Sequence, residues 1–115
     1  MAVIEILFYR TRENKCPVQD YLDSLNAKQA AKALWTFRLI RSVNPVPAQY
    51  FQKMQGTDDL WEVRVIFAGD IFRFLGFRDK KGNLIICHGF TKKAQKTPAR
   101  EIEIAEGRKA EYEKR

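Results

Sequence analysis

The sequence predicts an α+β fold: an N-terminal strand, an αα-hairpin, an antiparallel three-strand meander joined into one sheet, and a C-terminal helix. Three observations predict it. Leu60–Phe90 holds three apolar stretches separated by turn residues, Ala68-Gly69 and Arg78–Asn83. Upstream, apolar residues from Val18 onward recur at i, i+3, i+4 and i+7, which is helical spacing. The 115 residues, 45% hydrophobic and 12% aromatic, suffice for one core that buries roughly two-thirds of the unfolded surface. We read residues 1–115 as a single domain without internal repeat or low-complexity segment.

Ala2–Tyr9 reads as the first strand, with Ile4, Ile6 and Phe8 on one face and Val3, Leu7 and Tyr9 on the other. Both faces are apolar, so the strand is expected to be covered on both sides. Arg10–Lys15 is a polar loop. Cys16-Pro17 opens a short helix, since proline is tolerated in a first turn, and Val18, Tyr21, Leu22 and Leu25 form its packed face. Asn26 is a good N-cap for a longer helix, Ala27–Val43, with a core stripe of Ala30, Leu34, Phe37 and Ile40. Lys28, Lys32, Arg38 and Arg41 then make a solvated face, with phosphate contact as the alternative reading. Asn44-Pro45-Val46-Pro47 ends this helix, because a residue before proline avoids the helical region.

Tyr50–Gln55 is either a short strand or an extended lead-in, and Gly56–Asp59 turns the chain into the meander. Leu60–Ile66 alternates Trp61, Val63 and Val65 with Glu62 and Arg64, the period of a half-buried strand. Ile71–Phe77 follows, interrupted by the single charge Arg73, and Leu84–Phe90 carries the only histidine, His88. Thr97 can cap and Pro98 can open the last helix, whose apolar stripe is thin: Ile102, Ala105 and Tyr112. Gly107 costs that helix about 1 kcal/mol relative to alanine.

The charges of the meander carry the chemistry. An even loop at Ala68-Gly69 puts Arg64 and Arg73 on one sheet face, and an even second loop adds His88 and Phe90 to it. Like charges on neighbouring strands cost roughly 0.2–1 kcal/mol. Glu62 can neutralise one arginine, or an anion can offset both. Lys92, Lys93 and Lys96 follow the third strand, and Lys53 lies just upstream. With a net charge of +7 and a pI near 9.6, the reading is a polyanion site, with nucleic acid or an acidic protein as partner.

Other chemistry is poorly supported. One histidine and two distant cysteines, Cys16 and Cys87, form no metal set, and no Gly-rich phosphate loop occurs, so we expect no cofactor. The cysteines fit reduced thiols and a cytoplasmic protein. No apolar run approaches the ~20 residues of a membrane span. No strongly basic helix with exposed aromatics suggests a membrane surface. Arg64, Arg73, His88 and Lys92 are the candidate catalytic residues, and Lys53, Lys93 and Lys96 the candidate RNA contacts. Such a set suits metal-free RNA cleavage, in which the ribose 2′-OH attacks the adjacent phosphate. The protein then supplies cations for the charge on phosphorus, a base and an acid. Nearby cations should lower the His88 pKa and favour the neutral, proton-accepting imidazole.

The element order, with Leu60-Trp61-Glu62-Val63-Arg64, Phe72-Arg73-Phe74, His88-Gly89-Phe90-Thr91-Lys92-Lys93 and Lys96-Thr97-Pro98 leading into Glu101–Ala105, resembles the RelE/ParE superfamily of bacterial toxins. More narrowly it resembles the phage-derived HigB-like branch. The resemblance covers most of the chain and is specific from Leu60 to Ala105. It implies the toxin of a type II toxin–antitoxin pair, a ribosome-dependent endoribonuclease cutting mRNA. Its implied partners are a helix-turn-helix antitoxin, the ribosome with its mRNA, and operator DNA through the antitoxin complex. Arg64 and Arg73 would hold phosphate, and Lys92 and Lys93 would be the basic pair after the last strand. Many ribosome-dependent relatives place a tyrosine or an acidic residue where this chain has Phe90 and lysines. Lys53, His88 and Lys92 are therefore the candidates for acid and base. The alternatives are a non-enzymatic inhibitor of DNA gyrase and a catalytically silent nucleic-acid-binding protein.

Overall fold

The structure is a computed structural model that describes residues 5–92 and 96–115, with Lys92 described through its backbone. Positions 2–4 of the first strand, Lys93 and the Lys92 side chain lie outside the described residues. The elements follow the expected order: β1 (Ile6–Phe8), α1 (Pro17–Ser24), α2 (Ala27–Ser42), β2 (Phe51–Lys53), β3 (Trp61–Phe67), β4 (Asp70–Arg78), β5 (Leu84–Lys92) and α3 (Ala99–Glu113). The strands form one sheet in the order β1-β5-β4-β3-β2. β1 runs parallel to β5, and the other pairs are antiparallel. The lead-in at Phe51–Lys53 is thus a true edge strand.

Each sheet face has its own core. Val63, Val65, Phe72 and Phe74 pack under Val18 and Leu22 of α1 and Ala33, Phe37 and Ile40 of α2. Leu75, Phe77, Ile85 and Cys87 pack against Ala105 of α3 on the other side. Asn26 caps α2 as expected. Its side chain accepts from the Gln29 backbone amide at 2.8 Å, and the Gln29 side chain accepts from the Asn26 backbone amide at 3.0 Å, a reciprocal capping box.

Three expectations about burial and capping change. The buried stripe of α2 is Ala33, Thr36, Phe37 and Ile40, and Leu34 is 46% exposed. Thr36 can take a core position because its hydroxyl donates to the Lys32 carbonyl at 2.9 Å, so no polar group is left unpaired. Leu7 is also 46% exposed, whereas Tyr9 at the end of the same stretch is buried in the α3-side core, so that face is covered only in part. Thr97 does not cap α3: Pro98 is the N-cap residue, without a side-chain bond. The Thr97 hydroxyl instead lies 3.4 Å from Glu62. α2 also proves to be a basic helix with an exposed aromatic. Trp35 is 40% exposed, with the Lys32 ammonium 3.7 Å over its ring.

The loops set the register of the site. Phe67 pairs with Asp70, leaving the two-residue loop Ala68-Gly69. Both residues have positive φ, 51° and 85°, the type I′ geometry that matches strand twist. Arg64 therefore sits directly opposite Arg73. The second loop is odd, contrary to the even loop that the sequence reading needs, because Arg78 pairs with Leu84 across Asp79–Asn83. A β-bulge corrects the parity. Leu75 pairs with His88 but Gly76 pairs with Ile86, so Cys87 is the extra residue. Beyond the bulge Arg73 opposes Phe90 and Leu75 opposes His88, as an even loop would have placed them.

Candidate functional site

Glu62, Arg64, Arg73, His88 and Phe90 meet on the α3 side of the sheet. Glu62 and Arg73 form a diagonal cross-strand ion pair of 2.6 Å, with side chains only 4% and 7% exposed. Of the alternatives the sequence leaves open, the structure has the one in which Glu62 takes an arginine. Glu62 neutralises Arg73, and that contact outweighs the cost of setting Arg73 opposite Arg64. Arg64 is the more open of the two, with 27% of its side chain exposed and its Nε 4.0 Å from Glu62. The Nε atoms of both arginines are buried and have no hydrogen-bond partner among the described residues. A buried unpaired donor costs about 1–3 kcal/mol, and both of these lie beside the Glu62 carboxylate. Thr97 on Glu62 brings the segment before α3, with exposed Lys96, to the same end of the sheet.

His88 lies under α3. Its Nε2 is 2.7 Å from a Glu101 carboxylate oxygen, its Nδ1 is 3.3 Å from Arg108, and its ring stacks on Phe90 at 5.4 Å. Arg108 also donates to the Cys87 carbonyl at 2.8 Å. Only 12% of the His88 side chain is exposed. Its pKa is lowered, first by burial and then by Arg108 and Arg100, against the opposing pull of Glu101. The imidazole is therefore neutral at physiological pH. With Glu101 accepting from Nε2–H, the lone pair is on Nδ1, toward Arg108. The sequence reading ascribed the lowered pKa to cations, whereas burial is the larger cause.

Lys53 does not join this cluster. It pairs with Trp61, while Gln52 pairs with Glu62, so the pleat puts it on the opposite face, and its ammonium is 2.9 Å from Asp59. The backbone of Lys92 pairs with Ile71, two residues beyond the Phe90–Arg73 pair. Glu101, Arg108 and Thr97 were missed from sequence. A signal for two of them exists: Glu101 and Arg108 flank the stripe of Ile102, Ala105 and Tyr112 on α3, where a surface helix usually carries apolar residues. Among the described residues no group of three His, Cys, Asp or Glu side chains could hold a metal ion. None of their helices is long and apolar enough to cross a membrane.

The site is that of a small basic α+β protein with an arginine pair opposed across two strands. The sequence model of the family described as phage derived protein Gp49-like (DUF891) matches residues 20–110, and the chain belongs to that family, which is RelE-like and toxin-like. No curated protein matches the chain at a significant level.

Proposed function

We propose that this chain is the HigB-like toxin of a type II toxin–antitoxin pair and cuts mRNA on the ribosome by using the substrate's own 2′-OH. The observation that carries this reading is the Glu62–Arg73 pair beside Arg64, whose Nε has no hydrogen-bond partner among the described residues. Arg64 binds the scissile phosphate, and Arg73, held by Glu62, adds positive charge behind it. The 2′-oxygen attacks phosphorus as His88 Nδ1 takes its proton. Glu101 fixes the tautomer, and Arg108 moves aside from its 3.3 Å contact. The bond from phosphorus to the 5′-oxygen breaks, and Lys92 protonates that leaving oxygen. Lys93 and Lys96, the lysines next in sequence, are the further RNA contacts of this reading. No metal is required by these steps.

The partner is a helix-turn-helix antitoxin encoded beside the gene. It should copurify with the chain and raise its thermal stability by mass action. The reading is tested by inducing the wild type and Arg64→Gln in cells and mapping mRNA ends by primer extension. Cuts that vanish in a folded Arg64→Gln protein support it. Products should end in a 2′,3′-cyclic phosphate or its hydrolysed 3′-phosphate, and a 2′-deoxynucleotide just 5′ of the cut should block cleavage. Free 3′-hydroxyl ends, or growth arrest undiminished in Arg64→Gln, would overturn it.

A further inference from the structure

The helical-hairpin side of the sheet holds a second cleft that these steps do not use. It has a volume of about 450 Å³ and opens where α2 ends, between Arg41, Asn44 and Pro45 on one side and Phe51, Trp61 and Arg78 on the other. The Phe51 and Trp61 rings are stacked, 4.9 Å apart with 19° between planes. The Arg78 guanidinium lies 5.0 Å from the Trp61 centroid and 5.8 Å from that of Phe51. One of its nitrogens donates to the Gly82 carbonyl at 3.1 Å, while its Nε is buried without a partner among the described residues. Among the described residues no carboxylate pairs with Arg78. Arg41 on the rim has a loose contact to Glu5 at 3.7 Å, with both side chains about half exposed. Trp61 and Arg78 also line an adjoining cleft of about 320 Å³, and Lys53 stands in that one.

An aromatic stack with an arginine beside it is by itself an ordinary cation–π cap on a strand end. Two features go beyond that. Among the described residues the arginine has no ion-pair partner, although Asp59 and Glu113 stand in the adjoining cleft, and the space in front of it is concave, partly apolar and edged by an amide and a second arginine, which is the composition of a ligand site. The ligand must then carry a flat ring and an anionic group on one molecule. A carboxylate of an acidic peptide would satisfy Arg78 but leave the rings facing only a short aliphatic stem.

We propose that this cleft binds one unpaired nucleotide of RNA, its base against Trp61 and Pro45 and its phosphate on Arg78 and Arg41. Bases stacking on aromatic and guanidinium planes, with phosphate on arginine, are the usual terms of single-strand recognition. The choice of RNA over other ring-bearing anions rests on the function proposed above; the chemistry of the cleft does not. Arg78 is five residues from Arg73 on β4 and on the opposite face, roughly 17 Å along the strand at about 3.4 Å per residue. The nucleotide bound here is thus not the one being cut. Lys53 is not among the residues lining this cleft; it stands in the adjoining one, paired with Asp59 at 2.9 Å.

The test uses Trp35→Phe, which leaves Trp61 as the only tryptophan of the two. Its fluorescence is titrated with AMP and CMP, and separately with adenosine, inorganic phosphate and a glutamate-rich peptide. The expected result is saturable quenching by the nucleotides, at least tenfold tighter than by adenosine or phosphate alone. Arg78→Gln should weaken it about tenfold and Arg41→Gln about threefold, as expected for lost charge-assisted bonds. Arg41 is exposed, so its variant carries the test if Arg78→Gln fails to fold. Adding Arg64→Gln should leave the titration unchanged. If Arg64→Gln abolishes mRNA cuts but Trp61 never responds to millimolar nucleotide, this inference falls and the cleavage reading stands. Saturable binding with no mRNA cuts in the wild type has the reverse meaning. A response to the peptide alone, or one equal in Arg41→Gln and Arg78→Gln, would overturn the nucleotide assignment.

Discussion

Glu62 and Arg73 face each other diagonally across β3 and β4 at 2.6 Å, both nearly out of solvent. Removing one partner of such a pair leaves an unpaired buried charge, at a cost of about 3–5 kcal/mol. Glu62→Ala and Arg73→Ala should each lose that much in urea denaturation. The Glu62→Gln/Arg73→Met double variant should lose clearly less than the sum. Arg64→Gln, at the more open position, should stay within about 1 kcal/mol of wild type while losing function. A harmless Glu62→Ala would mean that the pair does not hold Arg73. Loss of toxicity in Arg73→Ala is uninformative unless the fold is checked first.

His88 links stability to pH. Its folded-state pKa lies below the usual 6.5 because burial disfavours the charged ring. Between that lowered value and 6.5 the unfolded chain binds more protons, so stability rises with pH through this window. The contribution is complete above the unfolded pKa and is lost as pH falls from 6.5 toward the folded pKa. The difference in unfolding free energy between wild type and His88→Gln isolates this from carboxylate titration. It should shrink on acidification below 6.5 and be flat above it. A flat difference throughout would mean that the ring is not held neutral.

The corrected stripe of α2 can be checked directly. Phe37 is buried against Phe8 and Phe74, so Phe37→Ala should cost about 3–5 kcal/mol through lost transfer energy and a cavity. Leu34 is exposed, and Leu34→Lys should stay within about 0.5 kcal/mol. Thermal melts of the two variants decide between the observed stripe and the one read from sequence.

Backbone geometry sorts three further substitutions. Ala68 holds φ 51° at the first position of the type I′ turn, where asparagine is preferred, so Ala68→Asn should stabilise by a few tenths to about 1 kcal/mol. At Gly107 an added Cβ meets nothing within 4 Å, and Gly107→Ala should gain about 1 kcal/mol. At Gly76 an added Cβ would lie 2.5 Å from the Ile85 carbonyl oxygen. That atom is backbone beside the bulge and cannot swing away. Gly76→Ala should therefore destabilise, by about 1–3 kcal/mol. Three denaturation curves test the set, and an equal effect of all three would contradict it.

Local pattern made most of the architecture legible. The strand read at Leu60–Ile66 and found at Trp61–Phe67, the Asn26 cap and the Ala68-Gly69 turn each act over a few residues, although Glu62, expected on an open face of that strand, is buried. The facing of Arg64 and Arg73 was legible for the same reason, because strand parity and one short loop suffice to set it. The C-terminal stripe of Ile102, Ala105 and Tyr112 likewise packs on the sheet. Its thinness is offset by polar ties that periodicity does not register. Lys109 donates to the Asp58 carbonyl at 2.8 Å, and Glu111 takes Tyr9 and Arg12 at 2.6 Å and 3.0 Å.

The sequence by itself determined the elements, their order and the shared face of the two meander arginines, because propensity, capping and strand parity are local. Tertiary structure alone decided which charges are spent on each other. The bulge at Cys87 undid an odd loop, α3 brought Glu101 and Arg108 onto His88, and Glu62 took Arg73 while leaving Arg64 more open. The same holds for Lys53, whose position on an edge strand sent it to the Trp61 side. These outcomes depend on distances between residues far apart in the chain, and a contact of 2.6 Å or 4.0 Å is set only when whole elements pack.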